Sequence, residues 1–163
     1  MPKPPPRPEL DATDHRILAE LQRDGGLSNL ELAERVGLSP SPCSRRVQAL
    51  EEQKIIERRV ALLDRQKLGL SLTAIILIAM DRHIPARFAK FEERVKACPE
   101  VQSCYLVAGQ EADYLLKVVL PDMDAYHDFL LNKITRIEGV TGVRSSFVLR
   151  RVVDSTELPL AYL

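Results

Sequence analysis

Aromatic residues, net charge and long apolar runs are all scarce in this chain. Its 163 residues include no Trp and only 5% aromatics, which argues against a cofactor pocket lined with stacked rings. The 23 Lys and Arg balance the 23 Asp and Glu, so any basic surface must be a local patch. The longest apolar run, 72–80, is less than half of the ~20 residues that a membrane span requires. A membrane partner is therefore not expected, and the length excludes a large multidomain enzyme.

Patterns typical of disulfides and metal sites are also missing. The three cysteines are odd in number and lack C-x-x-C spacing, which suits a reducing compartment. We interpret the isolated histidines as surface or helix residues without ligand spacing: His15, His83 and His127. Residues 1–8 hold five of the eleven prolines and no apolar core of a secretory signal, so they predict a disordered arm. We expect a cytoplasmic protein with no metal and no cofactor.

Residues 9–58 have the pattern of a helix-turn-helix domain. Apolar residues first recur with helical spacing after the N-terminal arm. Ser28 and Glu31 then match the S-x-x-E capping box at the start of a second, short helix that Gly37 ends. Ser39 can cap a third helix that begins with proline. Two short helices joined by a glycine turn are typical of a helix-turn-helix.

The third predicted helix has two chemically different faces. Cys43, Val47 and Leu50 are spaced as an inward apolar stripe. The opposite face is small at its start and hydrogen-bonding along its length, as a helix in the DNA major groove requires, because Gln can bind adenine and Arg can bind guanine or phosphate. The candidate DNA-binding residues are Ser39, Ser41, Pro42, Ser44, Arg45, Arg46 and Gln48.

The surroundings of this helix are basic. From Arg35 to Val60 there are six basic and three acidic residues. A small helical bundle whose Arg and Gln are simply solvated is an equally good interpretation of the helix pattern alone. The stretch 54–64 favours DNA binding, because it predicts a strand where winged DNA-binding domains place their wing. We expect this strand and a hinge to form a linker over 59–71.

Residues 72–153 predict a second domain of the βαββαβ type, followed by a C-terminal tail at 154–163. The predicted elements are a strand at 72–80, a helix at 85–97, strands at 101–108 and 114–120, a helix around 126–137 and a strand at 140–149. This order is that of the ferredoxin-like split βαβ, in which two helices cover one face of an antiparallel sheet, so the fold class is α+β.

The other face of this sheet needs a cover. Strand alternation predicts that its outward set is partly apolar and includes Leu106, Ala108, Val119 and Val148. A monomer would expose this patch to water, and association of two sheets in a homodimer is the simplest way to bury it.

Two sets of motifs are shared with a known family. The first comprises Leu10-Asp-x-x-Asp14-x-x-Ile17-Leu18, Leu32-Ala33-x-x-Val36-Gly37-Leu38-Ser39-Pro40-Ser41-Pro42-Cys43, Arg46-Val47, Leu50-Glu51 and Ile56. The second comprises Leu106-Val107-Ala108-Gly109, Asp113-Tyr114-Leu115-Leu116-Lys117 and Pro121-Asp122-Met123. With these motifs the chain resembles, from about Glu9 to Leu160, the Lrp/AsnC or feast/famine family of bacterial and archaeal transcription regulators.

The resemblance implies a winged helix-turn-helix tethered to an amino-acid-sensing βαββαβ domain of the RAM type. It implies dimers that assemble through their sheets, often further into octamers that wrap DNA, with small effectors bound between subunits. The effector-binding positions it implies are Leu106, Val107, Ala108, Gly109, Asp113, Met123, Ser145, Ser146 and Phe147.

Two of these positions have structural interpretations as well. Without the resemblance, Asp113 would be interpreted as a carboxylate that accepts hairpin N–H groups, and Met123 as a core residue. The resemblance implies instead that Asp113 faces the effector's α-amino group, while backbone N–H groups near Gly109 bind its carboxylate.

The chain departs from the family pattern twice. Lys54 stands where the family usually has Gly, which costs about 1 kcal/mol if the backbone there is left-handed. The loop from Gly109 to Asp113 is one residue longer than usual, so we expect a bulge to absorb the insertion.

We therefore predict a sequence-specific DNA-binding transcriptional regulator that responds to a free amino acid such as cysteine or leucine. An alternative is an architectural protein that wraps DNA without an obligatory effector. A small enzyme is disfavoured, because the chain has no nucleophile elbow, P-loop, dinucleotide fingerprint or zinc-protease motif. The expected partners are double-stranded DNA, further copies of the chain up to an octamer, and an amino-acid ligand.

Overall fold

A computed structural model describes residues 9–109 and 111–162, so the predicted arm at 1–8 lies outside the described residues. The chain forms two compact units. Among the described residues, one unit contains 9–62 together with 153–162, and the other lies between Leu63 and Val152. In the described part of the chain, no helix is both long and apolar enough to cross a membrane.

Three helices form the first unit: α1 (Ala12–Arg23), α2 (Asn29–Val36) and α3 (Pro40–Glu52). The predicted capping box is present, because Ser28 Oγ accepts from Glu31 N–H (3.3 Å) and Glu31 Oε2 accepts from Ser28 N–H (2.8 Å). Gly37 ends α2 with a left-handed φ of 71°, which glycine adopts without steric cost. The helix-turn-helix is confirmed.

The end of the chain packs on this helical unit. Gln22 of α1 holds the backbone of Leu158 at two points, since its Oε1 accepts from the N–H (2.6 Å) and its Nε2 donates to the carbonyl (3.3 Å). Leu160 packs against the apolar core that includes Ile17, Val36 and Cys43. The tail is thus part of the helical unit.

The predicted wing strand is not formed. Residues 54–64 belong to no strand of the described chain, and Leu62 and Leu63 are about three-quarters exposed. A strand needs a neighbour for its backbone N–H and C=O groups, and no described segment of this unit is itself a strand. The β-rich composition of this stretch is therefore not sufficient for a strand within one chain.

The exit from α3 is left-handed, as the sequence suggested. Lys54 has a φ of 59°, the one positive φ of a non-glycine residue in the described ranges. Ile55 N–H bonds Leu50 O (2.9 Å) and Lys54 N–H bonds Glu51 O (3.0 Å), which is the Schellman arrangement that usually has Gly at the left-handed position.

The second unit is a four-stranded sheet with helices. Its elements are β1 (Leu72–Met80), α4 (Pro85–Lys96), β2 (Val101–Leu106), β3 (Tyr114–Leu120), α5 (Met123–Phe129), which continues into a π-helical turn (Leu130–Ile134), and β4 (Val140–Phe147). The strand order is β2-β3-β1-β4 with antiparallel pairs throughout. The ferredoxin-like α+β prediction is confirmed.

The two sheet faces differ from the prediction in β2. A register shift lies between Val101 and Ser103, and beyond it Leu106 pairs with Tyr114. Tyr114 belongs to the buried core, so Leu106 lies on the helix side and not on the open face as predicted. We expected a bulge next to the loop from Gly109 to Asp113, where it would absorb the extra residue. The observed bulge lies instead at the opposite end of β2.

Candidate functional site

The outer face of α3 is solvent-exposed as predicted. Ser41, Ser44, Arg45 and Gln48 are exposed, whereas the apolar stripe of Cys43, Val47 and Leu50 is buried. Ser39 occupies the N-cap position without a side-chain cap bond, and Pro42 is half-buried. Small side chains at the start of the helix leave its first turn open to close approach by a partner.

Neighbouring arginines on this helix have different environments. Arg46 Nη1 lies 2.8 Å from both Asp11 Oδ2 and Asp14 Oδ1, so it ties α3 to the first turn of α1. The N–H of Asp14 and the Arg46 guanidinium lower the pKa of Asp11. No carboxylate of the described residues lies within ion-pair distance of Arg45. Of the two guanidinium groups, only that of Arg46 has carboxylate partners among the described residues.

Two polar contacts on the protein surface involve side chains of the C-terminal half of α3. Gln48 Nε2 donates to Glu52 Oε1 at 2.9 Å, and Arg59 lies 2.9 Å from Glu51. Both are exposed contacts, which contribute little to stability and can exchange for contacts with a ligand.

One group of the predicted effector residues lies where β2 ends. Leu106 is the last residue of the strand, and Val107 donates its N–H to Asp113 O at 2.8 Å. Ala108 and Gly109 are exposed in the loop that follows. From β4, Arg144 Nη2 donates to the carbonyl oxygen of Glu111 (2.6 Å) and braces this loop.

A second group lies around the start of α5. The hydroxyl of Tyr126 donates to Ser145 Oγ at 2.6 Å, and its ring meets Phe147 edge-on with centroids 5.0 Å apart. Ser146, the next position of the same strand, is exposed. Met123 begins α5 and is 50% exposed, so the alternative interpretation of it as a core residue is wrong.

One subunit does not bring these two groups together. Leu106 and Phe147 lie on the two edge strands, separated by β3 and β1, which amounts to roughly 14 Å across the sheet. They also differ by four residue pairs along β1, since the row of Leu106 passes through Ile78 and that of Phe147 through Ala74, a further ~13 Å. A free amino acid is shorter than this separation, so it cannot contact both groups within one chain.

The Asp113 carboxylate has a partner for each oxygen. Oδ2 accepts the N–H of Met80 at 2.7 Å, and Oδ1 lies 2.7 Å from Nε2 of His83. The backbone N–H of Asp113 donates to Ile78 O at 2.8 Å. The carboxylate thus accepts a backbone N–H, as its structural interpretation predicts, although the donor is in β1 and not in the hairpin.

His83 and Arg144 are the residues near this site that sequence analysis missed. His83 is 30 positions from Asp113 along the chain. The two residues meet because His83 follows the end of β1, which pairs with the start of β3, next to Asp113. Arg144 carried a weak signal as a charged residue in a strand. Within the described ranges, no group of three or more His, Cys, Asp or Glu is arranged to hold a metal ion.

Comparison with known proteins covers both units. Residues 73–158 match the Lrp/AsnC ligand binding domain, and residues 10–57 match a winged helix-turn-helix DNA-binding domain. The chain belongs to the Lrp/AsnC family. The leucine-responsive regulatory protein of Escherichia coli (strain K12) is 43% identical over 153 residues, which cover 94% of this chain and 93% of that protein.

Solved structures of Lrp/AsnC regulators share the whole fold. A transcriptional regulator of Neisseria meningitidis in complex with L-Met superposes with a TM-score of 0.90 at 41% identity, covering 94% of this chain and 99% of that one. An AsnC family transcriptional regulator from Agrobacterium tumefaciens gives 0.89 at 42% identity over the same shares. The chain is therefore a transcriptional regulator with a DNA-binding and a ligand-binding domain, and not an enzyme.

Proposed function

We propose that this regulator binds specific DNA operators through the outer face of α3. The observation that carries the proposal is the contrast on one helix between Arg46, which is tied to Asp11 and Asp14, and the exposed set Ser41, Ser44, Arg45 and Gln48. We propose that Ser39, Pro42 and Arg46 flank this face. They contact the phosphate backbone at the end of the helix or hold the helix in place from its protein side. Base contacts come from Arg45 and Gln48.

The test of DNA recognition begins with duplexes that the wild-type protein selects from a random pool. Arg45→Ala is expected to weaken binding to the selected duplex by ~1–3 kcal/mol, because a bidentate contact to a base is lost. Arg16→Ala, which removes an exposed arginine of α1, is the matched control and should bind like the wild type. Equal affinity of the wild type for selected and scrambled duplexes would favour the architectural alternative.

We also propose that the subunits pair through the open faces of their sheets. Ile75, Leu77 and Leu115 lie half-buried on this face, away from the core between sheet and helices, and Tyr105 is 57% exposed beside them. Val119 lies on the same face but is already buried within one subunit, so it is not part of the exposed patch predicted from the sequence. Two such faces bury each other's apolar surface, which gives the homodimer a hydrophobic driving force. Further assembly of dimers, up to an octamer, is part of the same proposal.

The effector that we propose is a free amino acid with an apolar or thiol side chain, such as leucine, methionine or cysteine. A relative named for its response to leucine and a structural neighbour in complex with L-Met support this class. The effector site contains Leu106–Gly109 and Asp113 of one subunit and Met123 with Ser145–Phe147 of another, because one chain keeps these groups apart.

A thermal-shift screen of the twenty amino acids, followed by calorimetry, tests this part. A ligand that binds only the folded protein raises its stability in proportion to RT ln(1 + [L]/Kd). Asp113→Asn is expected to weaken binding of the best amino acid by ~1.5–3 kcal/mol, because a hydrogen bond to a charged group is lost. Equal affinity in both proteins would exclude Asp113 from the effector site.

A further inference from the structure

Asp113 and His83 form a contact in which one partner is fixed and the other is free to move. Asp113 is held by the N–H of Met80, and its side chain is 18% exposed. His83 reaches Asp113 Oδ1 with Nε2 at 2.7 Å, yet its side chain is 70% exposed. The contact can therefore open by rotation of the imidazole into solvent, while the carboxylate keeps its backbone bond.

An aromatic series supports the imidazole from one side. The ring centroid of His83 lies 6.0 Å from that of Phe88, which meets Tyr114 edge-on at 5.7 Å. Tyr114 follows Asp113 directly, so the same series fixes both the acid and the surface against which the imidazole rests. This placement directs Nε2 of His83 at the carboxylate.

Other charges near this end of the sheet are already paired. Arg87 lies 3.2 Å from Asp81 and 2.6 Å from Glu138. Both carboxylates are therefore bonded to Arg87, and neither competes with Asp113 for the imidazole of His83. Among the ion pairs of the described residues, His83 is the only basic side chain within reach of Asp113. The partner that an incoming cation would meet at Asp113 is therefore this imidazole.

Resting on the proposed function, in which Asp113 binds the effector's α-ammonium group, we propose that His83 is a built-in competitor for that position. In the effector-free protein the imidazole occupies the carboxylate oxygen that the ammonium group requires. The amino acid must displace it to bind, so only the fraction of molecules with the contact open is competent, and the apparent affinity falls by that fraction. His83 thereby sets the amino-acid concentration at which the regulator responds.

The experiment compares His83→Ala with the wild type as full-length proteins. L-Leucine and L-methionine are titrated calorimetrically, after a thermal-shift screen of all twenty amino acids. His83→Ala is expected to bind the effector about two- to fivefold more tightly, the range for removal of an exposed competing polar contact. N-acetylated forms of the same amino acids, which lack the ammonium group, should show no gain. Arg82→Gln, which removes an exposed charge from the same loop, is the matched control and should bind like the wild type.

The outcomes separate this inference from the function on which it rests. Tighter effector binding in His83→Ala, without a gain in Arg82→Gln, supports the role of His83 as a competitor for Asp113. Equal or weaker binding in His83→Ala overturns it while leaving the effector site intact, and an equal gain in Arg82→Gln overturns it in favour of long-range charge. Unchanged affinity in Asp113→Asn, or no amino acid that shifts the wild type, overturns the proposed effector site and this inference together.

Discussion

The DNA-binding face and the effector site are built in opposite ways. The candidate DNA contacts lie within three turns of α3, from Ser39 to Gln48, so one helix positions them all. The candidate effector contacts lie on both edge strands of the sheet and at the start of α5. A site on one helix is complete in a monomer, whereas a site divided between sheet edges needs a second subunit. Under the proposed effector site, effector binding is coupled to assembly, whereas DNA contact by a single domain is not.

The largest expected effect tests this division directly. Asp113→Asn and Met123→Ala should each weaken effector binding at every site, because each damages one half of every site. When the two variants are refolded together in equal amounts, roughly a quarter of the sites should combine two intact halves from different subunits. Calorimetry of the mixture measures the recovered stoichiometry.

The control for this experiment uses two variants of the same half. Leu106→Ala mixed with Asp113→Asn should recover no sites. Leu106 ends β2 and Asp113 directly precedes β3 beside it, so both belong to the same half of the site and one of the two is always damaged. Recovery in this mixture, or its absence in the first, would contradict a site divided between subunits.

The second prediction contrasts two neighbouring arginines within the DNA-binding unit. Arg46→Ala should lower the melting temperature, because it removes the tie from α3 to Asp11 and Asp14. Arg45→Ala should leave the melting temperature unchanged and weaken only DNA binding. Circular dichroism melts and gel shifts at several salt concentrations measure both. An unchanged melting temperature for Arg46→Ala, with a salt slope reduced by about one, would instead make Arg46 a phosphate contact.

The same contrast explains what could be predicted from the sequence. On a helix, spacing alone decides which side chains face outward, so Ser41, Ser44, Arg45 and Gln48 could be assigned without a structure. On a strand, one extra residue reverses every later side chain, and the bulge between Val101 and Ser103 moved Leu106 to the helix side.

Contacts between segments far apart in the chain could not be predicted from the sequence, because they too depend on how the elements pair and pack. His83 meets Asp113, and Leu158 meets Gln22, only because elements far apart in the chain are neighbours in the fold. The strand predicted at 54–64 is absent from the structure, because composition does not reveal whether a pairing partner is present. The left-handed backbone at Lys54 was considered only because the family usually has Gly at this position, and the structure has it with a φ of 59°.

The third prediction concerns that helix end. Lys54→Gly should stabilise the DNA-binding unit by about 1 kcal/mol, because glycine adopts a φ of 59° without the clash of a Cβ atom. Lys54→Ala is the matched control, since it removes the charge and keeps the Cβ, and it should bring no such gain. Urea denaturation measures both, and equal stabilities of the two variants would show that the backbone at this position carries no strain.

The smallest effect is expected at the turn before β4, in the effector-binding unit. Lys90, and after it Arg87, bond the Glu138 carboxylate and lower its pKa from 4.5 to about 2. A carboxyl whose pKa is lower in the folded than in the unfolded state stabilises the fold above the unfolded value, and that contribution is lost as the pH falls through the folded value. Glu138→Gln should therefore be less stable than the wild type at pH 6, and the difference should shrink between pH 4.5 and about 2. Denaturant titrations of both proteins at pH 6, 4 and 3 follow this change. A difference that stays constant down to pH 3 would mean that the ion pairs of Glu138 contribute nothing, as many exposed pairs do, and that the amide substitution acts through the shape of the turn alone.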